Sequence, residues 1–250
     1  MTTSNARYII SAAVRSSSDE DGTTLLHVAE NKIYGLVGLG SVIWQKLVES
    51  KSGLAESDIV TELVLEFSEM STQQIERDVT KLLHSFEQKH LVDRTSNLQD
   101  LRTGATNRPN DSLFLFFNAA IRLLLCLRMH VLATVLAFVV VDLVLKISGF
   151  KQLYNLVRLW PTAERSVGPE VIPQMWGEIR RGITWYPRQV MCLQRSAVTT
   201  WLLRSRGAQA QMVIGCQRRP FLVHAWTEVN GEVVNDRQSV RELHKIIDRC

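Results

Sequence analysis

Three residues near the end of the chain have the types that a nucleophilic hydrolase uses: Cys192, His224 and Asp236. A cysteine attacks a carbonyl as its thiolate, and a helix N-terminus or a neighbouring imidazolium favours that form. Cys192 stands near the start of "QVMCLQRSAVTTWLLRSRG" (189–207), which reads as a helix ended by Gly207. His224 and Asp236 bound "HAWTEVNGEVVND" (224–236), two β-rich runs around Asn230-Gly231. Asn-Gly between such runs is a hairpin signal. A histidine that shuttles the proton and an aspartate that fixes its tautomer would complete a Cys-His-Asp acyl-transfer site. Backbone amides around Cys192, with Gln189 as a side-chain donor, would hold the oxyanion.

The hairpin register decides whether ring and carboxylate meet, because strand side chains alternate between faces. A two-residue loop, Asn230-Gly231, sets His224 against Arg237 and turns Asp236 the other way. A three-residue loop, Val229-Asn230-Gly231, sets His224 against Asp236, at the cost of Glu228 against Glu232. The second register is expected, since the first strands the carboxylate. Bland readings compete with each residue singly. A lone cysteine is usually a small buried hydrophobe. His224 alone reads as a core residue and Asp236 alone as a cap; the conjunction of all three favours chemistry. Cys126 and Cys216 read as inert core thiols, and Trp201 and Trp226 as core or pocket wall. His27, His84, His90, His130 and His244 read as structural.

Composition narrows the classes. The chain has 250 residues, 46% of them apolar, and a formal net charge of +4. Residues 1–92 carry roughly −5 and the remainder roughly +9, which suggests two units with different surfaces. The arginines are scattered, so no nucleic-acid partner is expected. The spacing of the four cysteines fits neither a zinc site nor a disulfide framework, and no metal or cofactor is expected. "MTTSNARYII" has no signal-peptide pattern, and the expected location is cytoplasmic.

The elements that would position these residues follow in order. Residues 1–92 read as a winged-helix-like unit of three strands and three helices. The strands are "ARYIISAAV" (6–14), "TTLLHVA" (23–29) and "NKIYGLV" (31–37), with "RSSSDEDG" (15–22) as a polar turn. The helices are 40–50, 56–69 and 71–92; the last opens on the capping pattern Ser71-x-x-Gln74 and carries the stripe Ile75, Val79, Leu82, Leu83, Phe86. Residues 93–112 read as a linker. Residues 113–150 are the most apolar part, but Arg122, Arg128, His130, Asp142 and Lys146 interrupt them. A spanning helix needs about 20 apolar residues. Buried helices are the expectation, and peripheral contact with a membrane is the minority reading. Helix continues to Pro161, and an α-then-β pattern follows.

The stretch 192–236 resembles the transglutaminase-like leader peptidases of lasso-peptide biosynthesis. The residues that carry the resemblance are Cys192-x-x-Arg195-Ser196, Gly207, "VIG" (213–215), "HAW" (224–226) and "VND" (234–236). It extends over about 110–250, including the apolar lead-in and Gly149-Phe150. The resemblance implies a transglutaminase/papain-like cysteine protease domain over 113–250, with Cys192, His224 and Asp236 catalytic. The front is similar to PqqD-like peptide-recognition domains through "TTLLHVAENKIYGLVGLGSVIWQKL" (23–47), Tyr34, Gly40, Trp44 and Asp78. That resemblance implies leader binding along the strand edge Lys32, Ile33, Tyr34, beside a groove lined by Asp78, Val79, Leu82 and Phe86. The whole is then an α+β protein: recognition domain 1–92, linker 93–112, and peptidase 113–250. It would cleave a ribosomally made precursor through a thioester and pass the core to a separate lasso cyclase. A non-catalytic peptide-binding chaperone is the alternative, and an acyl transferase on another substrate a third.

Overall fold

The computed structural model describes residues 6–50, 52–67, 70–95, 119–124, 129–160, 167–168, 170–218 and 221–250. The chain divides into two compact units, Met1–Thr106 and Asn107–Cys250. Helix and sheet are mixed in both, in line with the α+β expectation.

The first unit runs β1 (Arg7–Ile10), β2 (Val14–Asp19), β3 (Gly22–His27), β4 (Lys32–Leu36), α1 (Leu39–Glu49), β5 (Leu54–Ala55), α2 (Glu56–Glu66), α3 (Thr72–Gln88) and β6 (Val92–Thr95). Its strands form two antiparallel sheets, β2-β3-β4 and β5-β1-β6. The three helices are where the apolar period puts them. The strands number six rather than three: short β5 and β6 pair with β1 outside the expected runs, and the first run differs in two ways. "ARYIISAAV" breaks at residues 11–13 into β1 and β2, which join different sheets. "RSSSDEDG" is not a turn throughout: residues 15–19 continue β2, in register from Val14↔His27 to Asp19↔Gly22. Polar residues hold that strand because its side chains stay half-exposed and can bond across it. Ser18 Oγ meets Thr23 Oγ1 at 2.8 Å, and the true turn is short, with Asp19 Oδ1 accepting from the Asp21 amide at 3.0 Å.

α3 starts as its capping pattern requires, with the Ser71 hydroxyl accepting from the Gln74 amide at 3.3 Å. Its buried stripe is Ile75, Val79, Leu83 and Phe86. These pack with Ile43, Trp44, Leu47, Ile59 and Leu63 into one core, where Trp44 meets Phe86 edge-on at 5.7 Å. β6 occupies the first residues expected to be linker; 96–112 lie outside the described residues.

The second unit runs α4 (His130–Leu159), α5 (Val171–Trp185), α6 (Cys192–Ser205), β7 (Ala210–Arg218), β8 (Phe221–Val229), β9 (Glu232–Val233), α7 (Val240–Leu243) and β10 (Lys245–Arg249). The sheet is antiparallel, in the order β10-β7-β8-β9. Of the apolar lead-in, 119–124 are helical, while 113–118 and 125–128 lie outside the described residues. α4 turns at Gly149, whose φ of 74° no ordinary helical residue adopts. It buries Ala133, Thr134, Ala137, Phe138 and Val141 against α5 and α6, and exposes Leu132, Val139, Leu143 and Ile147. Among the described residues it is the one helix long and apolar enough to cross a bilayer.

α6 is buried from Ser196 to Arg204. At its far end the buried Arg204 guanidinium donates to the carbonyls of Ala210 and Val157, both at 2.6 Å. This ties α6 to β7 and to the end of α4, so the helix that carries Cys192 is fixed at its base.

α5 crosses α4 closely at Gly182. A Cβ there would lie 2.4 Å from Thr134 Cγ2 and 2.5 Å from Thr134 Cβ. Gly→Ala inside a helix ordinarily gains about 0.5–1 kcal/mol. Gly182→Ala is instead expected to lose about 1–3 kcal/mol, because the helices must separate. Urea denaturation measures the difference, and a gain in stability would contradict the close approach.

Candidate active site

Cys192 is the first residue of α6, with Met191 as N-cap. No Ser, Thr, Asp or Asn stands at that cap; Gln194 supplies the reciprocal half of a capping box. The Gln194 side-chain oxygen accepts from the Met191 amide at 2.7 Å, closing the first turn from inside. The half-buried Cys192 sulfur lies beside the His224 ring and the backbone amides of Ala225 and Leu193, which draw its pKa down.

His224 lies on β8. Its Nε2 is 2.7 Å from Asp236 Oδ2, which leaves Nδ1 as the ring nitrogen for sulfur. Asp236 is held on both oxygens: Oδ1 accepts from the Arg237 amide at 2.8 Å, and Oδ2 also accepts from Arg195 Nη2 at 3.0 Å. The His224 ring therefore stands between the Cys192 sulfur and the Asp236 carboxylate, and is hydrogen-bonded to the carboxylate.

The register that brings them together is not the expected one. β8 and β9 pair Val229↔Glu232 and Glu228↔Val233, so the loop is the two residues Asn230-Gly231. Both have positive φ, 52° and 84°. That conformation suits the right-handed twist of a tight hairpin, and Asn-Gly adopts it readily, so the three-residue bulge is not needed. The expected side-by-side pair of His224 and Asp236 does not form within the ladder. β9 stops at Val233, residues 234–236 bend away, and Asp236 reaches the ring from the bend.

The early end of β9 has a second effect. Beyond Thr227 the outer edge of β8 has no strand partner, so the Ala225 N–H and C=O are open to the start of α6. The N–H goes to the Cys192 sulfur and the C=O accepts from Ser196 Oγ at 2.8 Å. A buried polar network secures this junction. Asn235 Nδ2 donates to Ser196 Oγ at 3.0 Å, and Asn235 Oδ1 accepts from the Thr227 amide at 2.7 Å. Thr227 Oγ1 donates to the Ser196 carbonyl at 3.1 Å. Ser196, Thr227 and Asn235 are all buried, and each finds its partner within the three segments that carry the triad.

The electrostatics follow from these bonds. The His224 bond pulls the Cys192 thiol below its ordinary pKa against the effect of burial, with help from the two amides. The Cys192 bond pushes His224 up, burial opposes, and Asp236 adds to the rise. Burial works to raise Asp236, but the bonds from His224 and the Arg237 amide, with the charges of His224 and Arg195, leave it lowered. All three shifts favour a thiolate–imidazolium–carboxylate row. Trp226 stacks near the ring at 6.4 Å between centroids, and His244 lies 5.3 Å away. Gly215, opposite His224 in the β7–β8 ladder, is required by the Trp226 ring: a Cβ would come within 2.7 Å of it.

Other expectations are placed as follows. Gln189 is exposed, and the described residues show no hydrogen bond for its side chain. Cys216 is buried in β7, and Cys126 lies outside the described residues. Lys32, Ile33 and Tyr34 are on β4, an edge strand, and Lys89 at the end of α3 lies over the Tyr34 ring at 5.6 Å. Asp78 and Leu82 are half-buried, with Leu82 beside Gly40 near Leu36. Val79 and Phe86 do not line that groove. They are 0% and 2% exposed, turned into the core by the helical period, and lie beneath the surface a peptide would touch. Sequence reasoning missed Asn235, Thr227 and Gln194 as site-building residues. Asn235 stood in plain view inside "VND", but its partners are distant in sequence. Among the described residues no cluster of His, Cys, Asp or Glu could hold a metal.

Residues 135–248 match the transglutaminase-like superfamily, and residues 22–92 match the coenzyme PQQ synthesis protein D (PqqD) family. The chain is similar to the microcin J25-processing protein McjB of Escherichia coli, with 39% identity over 56 residues, 22% of this chain. It spans 27% of the length of that curated relative. Among solved structures it is similar to TbiB1 in complex with the TbiA(beta) leader peptide, at 31% identity and a TM-score of 0.32, over 36% of this chain and 99% of that one. The chain thus carries a PqqD-family segment ahead of a transglutaminase-like segment.

Proposed function

We propose that the protein binds the leader of a ribosomally made precursor through its first unit and cleaves leader from core with Cys192, His224 and Asp236. The observation that carries the reading is the His224 ring, hydrogen-bonded to Asp236 Oδ2 at 2.7 Å and set beside Cys192 at the start of α6. The PqqD match and the similarity to a microcin-processing protein support the choice of a leader-bearing substrate.

The chemistry runs in two steps. The thiolate attacks the carbonyl of the last leader residue, and first-turn amides of α6 face the developing oxyanion. His224 gives its proton to the departing nitrogen, which frees the core with an α-amine and leaves the leader as a thioester on Cys192. Water then attacks the thioester with His224 as base, the sulfur leaves as thiolate, and the leader departs as a free acid. Asp236 keeps the ring oriented and steadies its positive charge. The leader adds to the open edge of β4 as a further strand, with Asp78 and Leu82 beside it. The freed core then passes to a separate cyclase, in the cytoplasm.

Cys192→Ala is expected to abolish cleavage of a candidate precursor, followed by mass spectrometry, and to leave peptide binding intact. A chaperone would keep its function in that variant, and an acyl transferase would join a supplied amine to the leader instead of releasing acid. Asp236→Asn is expected to lower kcat/KM by about 10²–10⁴-fold with the leader affinity unchanged.

The pKa directions fix a pH profile. Cys192 is lowered from 9.0 and His224 raised from 6.5, so the ion pair forms as the thiol loses its proton and disappears as the ring loses its own. The rate should rise on the acid side with Cys192 and fall on the alkaline side with His224. His224→Ala removes the largest cause of the thiol's depression, so the pH midpoint for alkylation of Cys192 should move up. A midpoint unchanged in that variant would refute the coupling.

A further inference from the structure

We infer that Asp142, on the apolar helix α4, is a positioning residue for the nucleophile: its carboxylate fixes the first turn of α6 and so the direction of the Cys192 sulfur. This deepens the cysteine-peptidase reading and rests on it.

Asp142 is a mostly buried carboxylate that the mechanism above does not use; its side chain is 11% exposed. Three donors converge on it. Tyr186 Oη and Arg188 Nη1 reach Oδ2, the latter at 3.4 Å, and Gln194 Nε2 reaches Oδ1. Two of the three belong to the segment leading into α6 and the third to its first turn. Tyr186 is itself anchored, since it is buried and its ring lies 5.2 Å from that of Phe138, one turn before Asp142. Burial and the bond to Asp142 push the tyrosine up to about 12, so the hydroxyl remains a donor throughout the working range.

The link to sulfur is Gln194. A carboxylate only accepts hydrogen bonds, so the Gln194 group that faces Asp142 must be its NH₂. The amide oxygen is then obliged to point back along the helix, where it accepts from Met191 N, the residue before Cys192. Asp142 thus sets which way the Gln194 amide is turned, and that orientation closes the turn in which the Leu193 amide meets the sulfur. Remove the carboxylate, and Gln194 is free to rotate and the cap is lost. The charged and titratable groups around the two ends of this link are Tyr186, Arg188 and Lys146 at Asp142, and His224, Asp236 and Arg195 at the triad, with His244 beside His224.

The test is alkylation of Cys192 by iodoacetamide across pH in the full-length protein, read by mass spectrometry of the Cys192 peptide. It needs no precursor and no turnover. Asp142→Ala is expected to slow alkylation below the midpoint by about tenfold, the worth of one ordinary hydrogen bond, and to move the midpoint up. Asp142→Asn keeps an acceptor for Gln194 and should fall between. With a precursor in hand, kcat should drop while KM holds. Unfolded protein would expose Cys192 as a free thiol and also move the midpoint up, so the profile is taken only on variants whose circular dichroism and thermal melt match the parent. If Asp142→Ala does not fold, Gln194→Met breaks the same link from the other end and should give the same shift. A folded Asp142→Ala or Gln194→Met protein that follows the parent profile overturns the inference. Failure of the parent to cleave any precursor, with the variant shift intact, would instead count against the peptidase reading.

Discussion

The site depends on one event in the backbone: β9 leaves the ladder after two residues. Had the hairpin continued in its two-residue register, Asp236 would lie across from Ala225 and point away from the ring. A ninth strand of ordinary length would also have consumed the N–H and C=O of Ala225, which here serve the Cys192 sulfur and Ser196. Ending the strand early opens that edge of β8 to the start of α6, and lets residues 234–236 bend inward with the carboxylate. One truncated pairing thus brings all three side chains together. Its cost is a stretch of strand edge without a ladder, and that cost is offset because the helix start, itself rich in unpaired amides, meets the same edge.

What holds this arrangement is a small polar network rather than apolar packing. Ser196 lies on the nucleophile's helix, Thr227 on the histidine's strand and Asn235 in the aspartate's bend. Each bonds to the others, within about 3 Å. Apolar contacts are tolerant of small slides, whereas buried hydrogen bonds have fixed lengths and directions and are costly to leave half-made. A network of this kind registers three elements relative to one another to a fraction of an ångström, the tolerance that proton transfer requires.

The sequence disclosed the residue types and much of the secondary structure, and failed where geometry depends on distant partners. Cys192 at a helix start was legible because Gly207 and the apolar run behind it define the helix. The Asn-Gly turn was legible as a hairpin, but its register was misjudged. Pairing of His224 with Asp236 inside the ladder demands the three-residue loop, whereas the turn chemistry of Asn-Gly alone favours the two-residue one. In the first unit, β2 was hidden because a polar strand looks like a turn until its partner β3 is known. Val79 and Phe86 are groove wall only by the resemblance to PqqD-like domains, whereas the helical period, which puts both on the apolar stripe with Ile75 and Leu83, places them in the core. Asp142, read only as an interruption of an apolar stretch, could not be linked to Gln194 because 52 residues separate them.

The same surroundings that favour a thiolate at Cys192 also restrain it. Two backbone amides and an imidazolium stabilise the charge on Cys192. Nucleophilicity falls as a thiol's pKa falls, so lowering the Cys192 pKa raises the share of thiolate while making each thiolate milder. Arg195 acts in the same direction at the other end of the row. It shares Asp236 Oδ2 with His224 and so draws off part of the carboxylate's pull on the ring. A mild nucleophile discriminates poorly against free peptides by chemistry alone, yet it does little damage to them. Selectivity then has to come from residence. Under the proposed function, a leader held on a tethered unit would meet the site at an effective concentration of about millimolar, which would favour the tethered peptide over untethered ones at cellular levels. On this reasoning the recognition unit and the restrained thiolate are complementary: the second would be slow without the first, and the first is what makes a slow thiolate sufficient.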